Sequence, residues 1–145
     1  MFGKFALSSA LVLSMAGIAS AETINWIAAL DQAQEVETLT AVEGAMGNAE
    51  GTIDTETRRI DFNITFSKLS GDLVAAHFHA PADVGENAGP VVDLNGDGGM
   101  ASPIVGFSTI TPEQIEEIKA GKWYVNLHTE ANPDGEIRGQ LAATQ

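Results

Sequence analysis

Arg59-Ile60-Asp61-Phe62-Asn63-Ile64-Thr65-Phe66 decides the fold class, because its apolar residues fall on every second position. In an extended chain Ile60, Phe62, Ile64 and Phe66 then share one face, and Asp61, Asn63 and Thr65 share the other. That is the pattern of a strand with one side in a core and one in water. Outward from this stretch, short apolar runs bounded by Gly, Asp, Asn and Pro predict further strands over residues 23–30, 45–54, 73–79, 91–94, 122–129 and 136–142. Seven short strands predict an all-β antiparallel sandwich. One helix interrupts them. Thr111 supplies a cap, Pro112 suits the first turn, Gln114 completes a capping box, and Ile115 with Ile118 forms an apolar stripe before Gly121. Glu113, Glu116 and Glu117 near its start and Lys119 and Lys122 near its end suit the helix dipole, so a short surface helix accounts for them. Residues 44–51 and 83–99 read as loop-rich, and no internal repeat or linker divides the chain.

A chain of 145 residues suits one domain and excludes a multidomain enzyme. Twenty acidic against seven basic side chains give a net charge of −13, which repels nucleic-acid phosphates and anionic lipid surfaces. The absence of cysteine excludes disulfides, thiolate zinc sites, iron–sulfur clusters and thiol nucleophiles, so any metal must sit on nitrogen and oxygen. Residues 1–21 open with Lys4, run apolar from Phe5 to Ile18 and close on Ala19-Ser20-Ala21, the pattern of a cleaved signal peptide. The apolar run is shorter than the roughly twenty residues a spanning helix needs, and no second one follows, so no membrane insertion is expected after cleavage. Residues 22–145 form the expected mature domain, periplasmic or secreted, and loss of Lys4 takes its charge from −13 to −14.

The three histidines carry the chemistry. His77 and His79 flank Phe78 at the end of an apolar strand. Residues two apart on a strand point the same way, roughly 6.5 to 7 Å apart at Cα, a separation two imidazoles can close around one ion. Phe78 then points into the core. His128 ends the run Trp123-Tyr124-Val125-Asn126-Leu127-His128, on the face opposite Trp123, Val125 and Leu127. Three imidazoles without a thiolate suit copper or zinc and leave a position open. The competing reading makes the His-x-His pair a hydrogen-bonded strand end, with His128 unrelated to it.

Asn132-Pro133-Asp134-Gly135 reads as a turn, and the hairpin it would form returns Glu136 and Arg138 alongside the strand of His128. Arg138 then either pairs on the surface with Glu136 or Glu130, the reading its neighbours favour, or guides a small anion toward an open metal position.

Ala75-Ala76-His77-Phe78-His79-Ala80-Pro81-Ala82, Gly89-Pro90-Val91-Val92, Thr111-Pro112-Glu113-Gln114, and the closing run from Gly121 through His128-Thr129 to Asn132-Pro133-Asp134-Gly135-Glu136-Ile137-Arg138-Gly139-Gln140-Leu141 resemble the CHRD domain, the module named for chordin. The resemblance spans nearly all of the expected mature chain and suggests a single-domain bacterial member. It implies an immunoglobulin-like or dismutase-like sandwich and says little about activity. More loosely, a His-x-His strand, a later histidine and a C-terminal arginine are similar to the copper ligands and anion-guiding arginine of copper-zinc superoxide dismutases. With three histidines and no cysteine, this chain lacks the bridging histidine and disulfide of that enzyme, so the resemblance implies at most a mononuclear site.

Asp93-Leu94-Asn95-Gly96-Asp97-Gly98 opens like a calcium loop, but Ile104 occupies the position of the bidentate carboxylate, and a turn is the expected reading. Hydrolase elbows, phosphate loops and dinucleotide fingerprints are absent. The leading expectation is an exported β-sandwich holding one copper ion, with zinc as the alternative metal, on His77, His79 and His128, and with Glu136 and Arg138 close by. The first alternative is a metal-free interaction or structural module, whose open sheet edges suit a protein partner or a homodimer. The second is a copper-dependent, dismutase-like redox enzyme.

Overall fold

The computed structural model describes residues 21–40, 44–95 and 99–144. In chain order the elements are β1 (Thr23–Asp31), a 3-10 turn (Gln32–Gln34), β2 (Met46–Asp54), β3 (Arg59–Ser67), β4 (Leu73–His79), β5 (Pro90–Asp93), β6 (Ile104–Thr109), α1 (Pro112–Lys119), β7 (Tyr124–Thr129), β8 (Ile137–Gln140) and β9 (Ala142–Thr144). Residues 1–20 of the expected leader and residues 96–98 of the calcium-like stretch lie outside the described residues.

Every strand pairing is antiparallel, in the order β5-β4-β7-β8-β1-β2-β3-β6. Between β8 and β1 the ladder narrows to one pair, Asp31 with Arg138, and at that corner the sheet folds into two layers. β9 pairs with the other half of β1, from Asn25 to Ile27. The expected all-β antiparallel sandwich is therefore what the chain forms. Its core is an aromatic cluster around Phe78, whose ring stands edge-on to Trp26 at 5.5 Å and to Phe62 at 6.0 Å, and tilted to Trp123 at 5.6 Å. Phe78 comes from one layer, and Trp26 and Phe62 from the other, so this contact joins the two sheets.

Two strands exceed the seven expected. β6 carries its apolar Val105 and Phe107 outward, where they are exposed, and has a glycine in its interior, so the alternation that marks a strand is inverted. Gly106 is required there, since a Cβ would lie 2.7 Å from the Phe62 ring it faces. Gly51 plays the same part inside β2, where a Cβ would lie 2.7 Å from the Trp26 indole. The paired row Trp26, Gly51, Phe62, Gly106 thus alternates large and small across four strands, and residues 46–51, which read both as loop-rich and as part of the expected strand over 45–54, are strand. The last expected strand divides into β8 and β9 at Leu141, whose amide leaves the ladder to donate to the Trp123 carbonyl at 2.8 Å. Helix α1 forms as its sequence predicts: Thr111 and Gln114 cap each other reciprocally, and Ile115 and Ile118 are buried.

Candidate metal centre

The register of β4, β7 and β8 lays out the outer face of the second sheet in rows. His77 stands opposite Asn126, which stands opposite Arg138. His79 stands opposite Tyr124 and then Gln140, and His128 faces Ala75. Paired residues share a face, so all three histidines rise from one side of the sheet, away from Phe78. They converge: one nitrogen from each lies within 4.8 Å of the others.

Two backbone carbonyls decide which nitrogens of His79 and His128 are free to bind. His79 Nδ1 lies 2.8 Å from the Ala88 carbonyl and His128 Nδ1 lies 3.0 Å from the Pro133 carbonyl. A carbonyl accepts only, so each Nδ1 carries the proton and each Nε2 keeps a lone pair aimed inward. His128 Nε2 meets His77 Nδ1 at 3.3 Å, while His79 Nε2 is buried with no hydrogen-bond partner. Burial pushes the His79 imidazolium down from 6.5 to about 4, against the pull of the Ala88 carbonyl. Burial also holds His128 below its ordinary range. Both rings are therefore neutral at pH 7 and able to bind a cation.

Three loops cover this face. Tyr124 stacks on His79 with centroids 4.9 Å apart, and its hydroxyl both accepts from the Ala88 amide and donates to the Ala88 carbonyl, each at 3.1 Å. Arg138 packs on the Tyr124 ring, 3.6 Å from its centroid. It is 1% exposed, and it donates to the Glu86 carbonyl at 2.7 Å, to Asn87 Oδ1 at 3.2 Å and, more weakly, to the Asp83 carbonyl at 3.4 Å. The surface pairing of Arg138 with Glu136 or Glu130 does not form. The guanidinium is a strut beneath residues 80–89, because the covering loop supplies carbonyls where solvent was expected. Glu136 is also buried, and turns to Ser70, whose amide and hydroxyl each donate to it at 2.7 Å, and to Thr129, whose hydroxyl donates at 2.6 Å. Burial alone would raise its pKa, but these donors and Asn132 outweigh it and hold Glu136 below the usual carboxylate value. Glu136 thereby fixes the turn that carries Pro133.

Beside His79 opens a cleft of about 330 Å³, lined also by Glu37, Asn87, Tyr124, Asn126 and Asp134. Behind Asn126, burial raises Glu35 from 4.5 to about 7, although Arg138 and Asn126 pull it down. At the calcium-like stretch the Asn95 side chain donates to Asp93 at 2.9 Å, a local turn contact.

The sequence pattern of the CHRD domain matches residues 26–141. The chain belongs to the CHRD domain family. No curated protein and no solved structure matches it significantly. In this CHRD domain the three histidines that sequence spacing singled out are brought together, with Arg138 and Glu136 bracing the loops around them. Tyr124, the Ala88 and Pro133 carbonyls, Asn126 and the acidic cleft were not foreseen. Tyr124 and Asn126 share the alternation of His128 and could have been found from it, whereas Ala88 carries no local signal. Three convergent imidazoles, two of them kept neutral by burial and one of those an orphaned buried acceptor, could hold a metal ion.

Proposed function

We propose that this protein is an exported metal-binding domain that holds one copper ion, in preference to zinc, through His77 Nδ1, His79 Nε2 and His128 Nε2. The observation that carries the reading is the buried, unpartnered His79 Nε2 in a cluster whose three rings each bring one nitrogen within 4.8 Å of the others. Leaving such an acceptor without a partner costs about 1–3 kcal/mol, which a cation removes. Copper is favoured because an all-imidazole set with no carboxylate or thiolate among its ligands suits it, and it stands above zinc in general affinity. Bound there, copper would supply a Lewis acid and a one-electron couple. The chain's part is to fix the tautomers of His79 and His128 through Ala88 and Pro133, to keep those two rings neutral by burial, and to hold water off them. Export rests on the leader-like residues 1–21.

The test is elemental analysis of protein purified from a periplasmic or secreted fraction without tag or chelator, followed by copper titration of the metal-free form. One copper per chain in the wild type and none in a His77→Ala, His79→Ala variant of unchanged circular dichroism is the expected result. Equal weak binding by both would leave the histidines as strand-end structure and favour an interaction module. The exported chain is expected to start at Glu22, and a mass that includes residues 1–21 would overturn the export reading.

A further inference from the structure

The cleft beside His79 has an electrostatic character that neither the histidines nor the family explains. Its charged lining residues are Glu37 and Asp134, both exposed carboxylates, with no basic side chain among them. Arg138 approaches only from behind, where Asn87 separates it from the mouth. Asn87 Oδ1 accepts from the guanidinium at 3.2 Å, and Asn87 Nδ2 donates to Glu37 at 2.8 Å. Two lining side chains each carry a buried polar atom without a partner, His79 Nε2 and Asn126 Oδ1, and these residues are 7% and 4% exposed. Both atoms are lone-pair donors. A cation arriving here meets two carboxylates, then a neutral amide oxygen, then an imidazole nitrogen. An anion meets repulsion at the mouth and no donor it can use on those two atoms.

We infer that this cleft is the route by which the site receives its metal as a free or weakly complexed cation, with Glu37 and Asp134 steering it and Asn126 Oδ1 lying on its path to His79. The inference rests on the metal site proposed above and deepens it. It makes the cluster an acceptor of metal ions and sets it apart from a centre that works on anionic oxidants. Another groove, about 480 Å³ between Ile27, Glu50, Asp61 and Val105, lies on the other sheet and holds no grouping of metal-ligating side chains among the described residues.

Stopped-flow mixing of copper(II) ions with the metal-free protein, followed by tryptophan fluorescence, tests the route. The variant is Glu37→Gln with Asp134→Asn. The control, Glu50→Gln with Glu56→Gln, loses the same net charge away from the cleft. At about 10 mM ionic strength the association rate of the cleft variant is expected to fall roughly three- to tenfold, while the control stays within about twofold of wild type. The gap closes at high salt, and all three proteins take up one copper. Equal rates in the cleft variant and the control would overturn the route while leaving the metal site intact. Wild-type protein that takes up no stoichiometric copper would overturn the site itself and the route with it. Should the double variant lose its circular dichroism signature, Glu37→Gln alone decides, because the amide that replaces the carboxylate keeps an oxygen to accept from Asn87. A rate unchanged from wild type in that variant counts against the inference.

Discussion

On β3 buried side chains alternate with solvent-accessible ones over most of its length, whereas all six residues of β7 are buried. The first sheet leaves its outer face open. The second covers its outer face with residues 80–89, the turn around Pro133 and the segment after β1. An open face tolerates polar side chains because water satisfies them, while a covered one must find a protein partner for each polar atom. On the covered face nearly all are found: Arg138 in loop carbonyls, Glu136 in hydroxyls and an amide, and two histidines in single carbonyls. Left over on this face are Glu35 Oε1, His79 Nε2 and Asn126 Oδ1, and the last two belong to side chains that line the cleft proposed to receive a ligand. In this domain loss of alternation points to function, and alternation itself points to fold.

The contrast can be broken hardest where the faces meet. Phe78→Ala removes the ring that touches aromatic residues of both sheets and is expected to cost about 3–5 kcal/mol in urea titration. A loss under about 1 kcal/mol would mean the two sheets do not share a core. Arg138→Leu keeps the volume but strands the loop carbonyls, and is expected to cost about 2–4 kcal/mol and to open residues 80–89 to proteases. Arg59→Leu on the open face should leave the denaturation midpoint unchanged, since that guanidinium stands in solvent beside Asp61 and Phe107.

Acid sharpens the comparison in the metal-free protein. His79 has a folded pKa of about 4 against 6.5, so its contribution to stability is complete above pH 6.5 and is lost as pH falls toward 4. Glu35 runs the other way: raised from 4.5 to about 7, it contributes fully below pH 4.5 and loses that contribution as pH rises through 7. Between pH 4.5 and 6.5 the two slopes oppose, each at most about 1.4 kcal/mol per pH unit. Glu35→Gln is therefore expected to steepen the rise of stability with pH across that window. An unchanged slope would show that Glu35 ionises normally. The smallest effect separates two hydroxyls. Tyr124→Phe loses the contacts to Ala88 and should cost about 1 kcal/mol, whereas Thr65→Ala on the open face stays within about 0.5 kcal/mol.

Much of this was legible along the chain, for reasons that also mark where legibility stops. The strand β3, the helix cap at Thr111 and the shared face of His77, His79 and His128 follow from periods of two and 3.6, which are local properties. β6 was missed because its side chains are set by the bulk of Phe62, a partner 44 positions before Gly106 in sequence. The settings of Arg138 and Glu136 differ from expectation because a strand's outer face reads as solvent unless the covering loop is known. That loop, residues 80–89, contributes mainly backbone atoms, and backbone atoms leave no signature in side-chain composition. The same holds for the carbonyls that select the tautomers.

One oxygen of that loop has a wider consequence. The Ala88 carbonyl accepts from both His79 Nδ1 and the Tyr124 hydroxyl, so a single peptide group sets the orientation of a candidate ligand and ties it to the neighbouring strand. What the site demands of this segment is arc length. Inserting one residue between Gly85 and Ala88 would leave all three histidines in place and still displace the atom that gives His79 its orientation, whereas exchanging the exposed side chains of Val84 and Glu86 would leave that atom where it is.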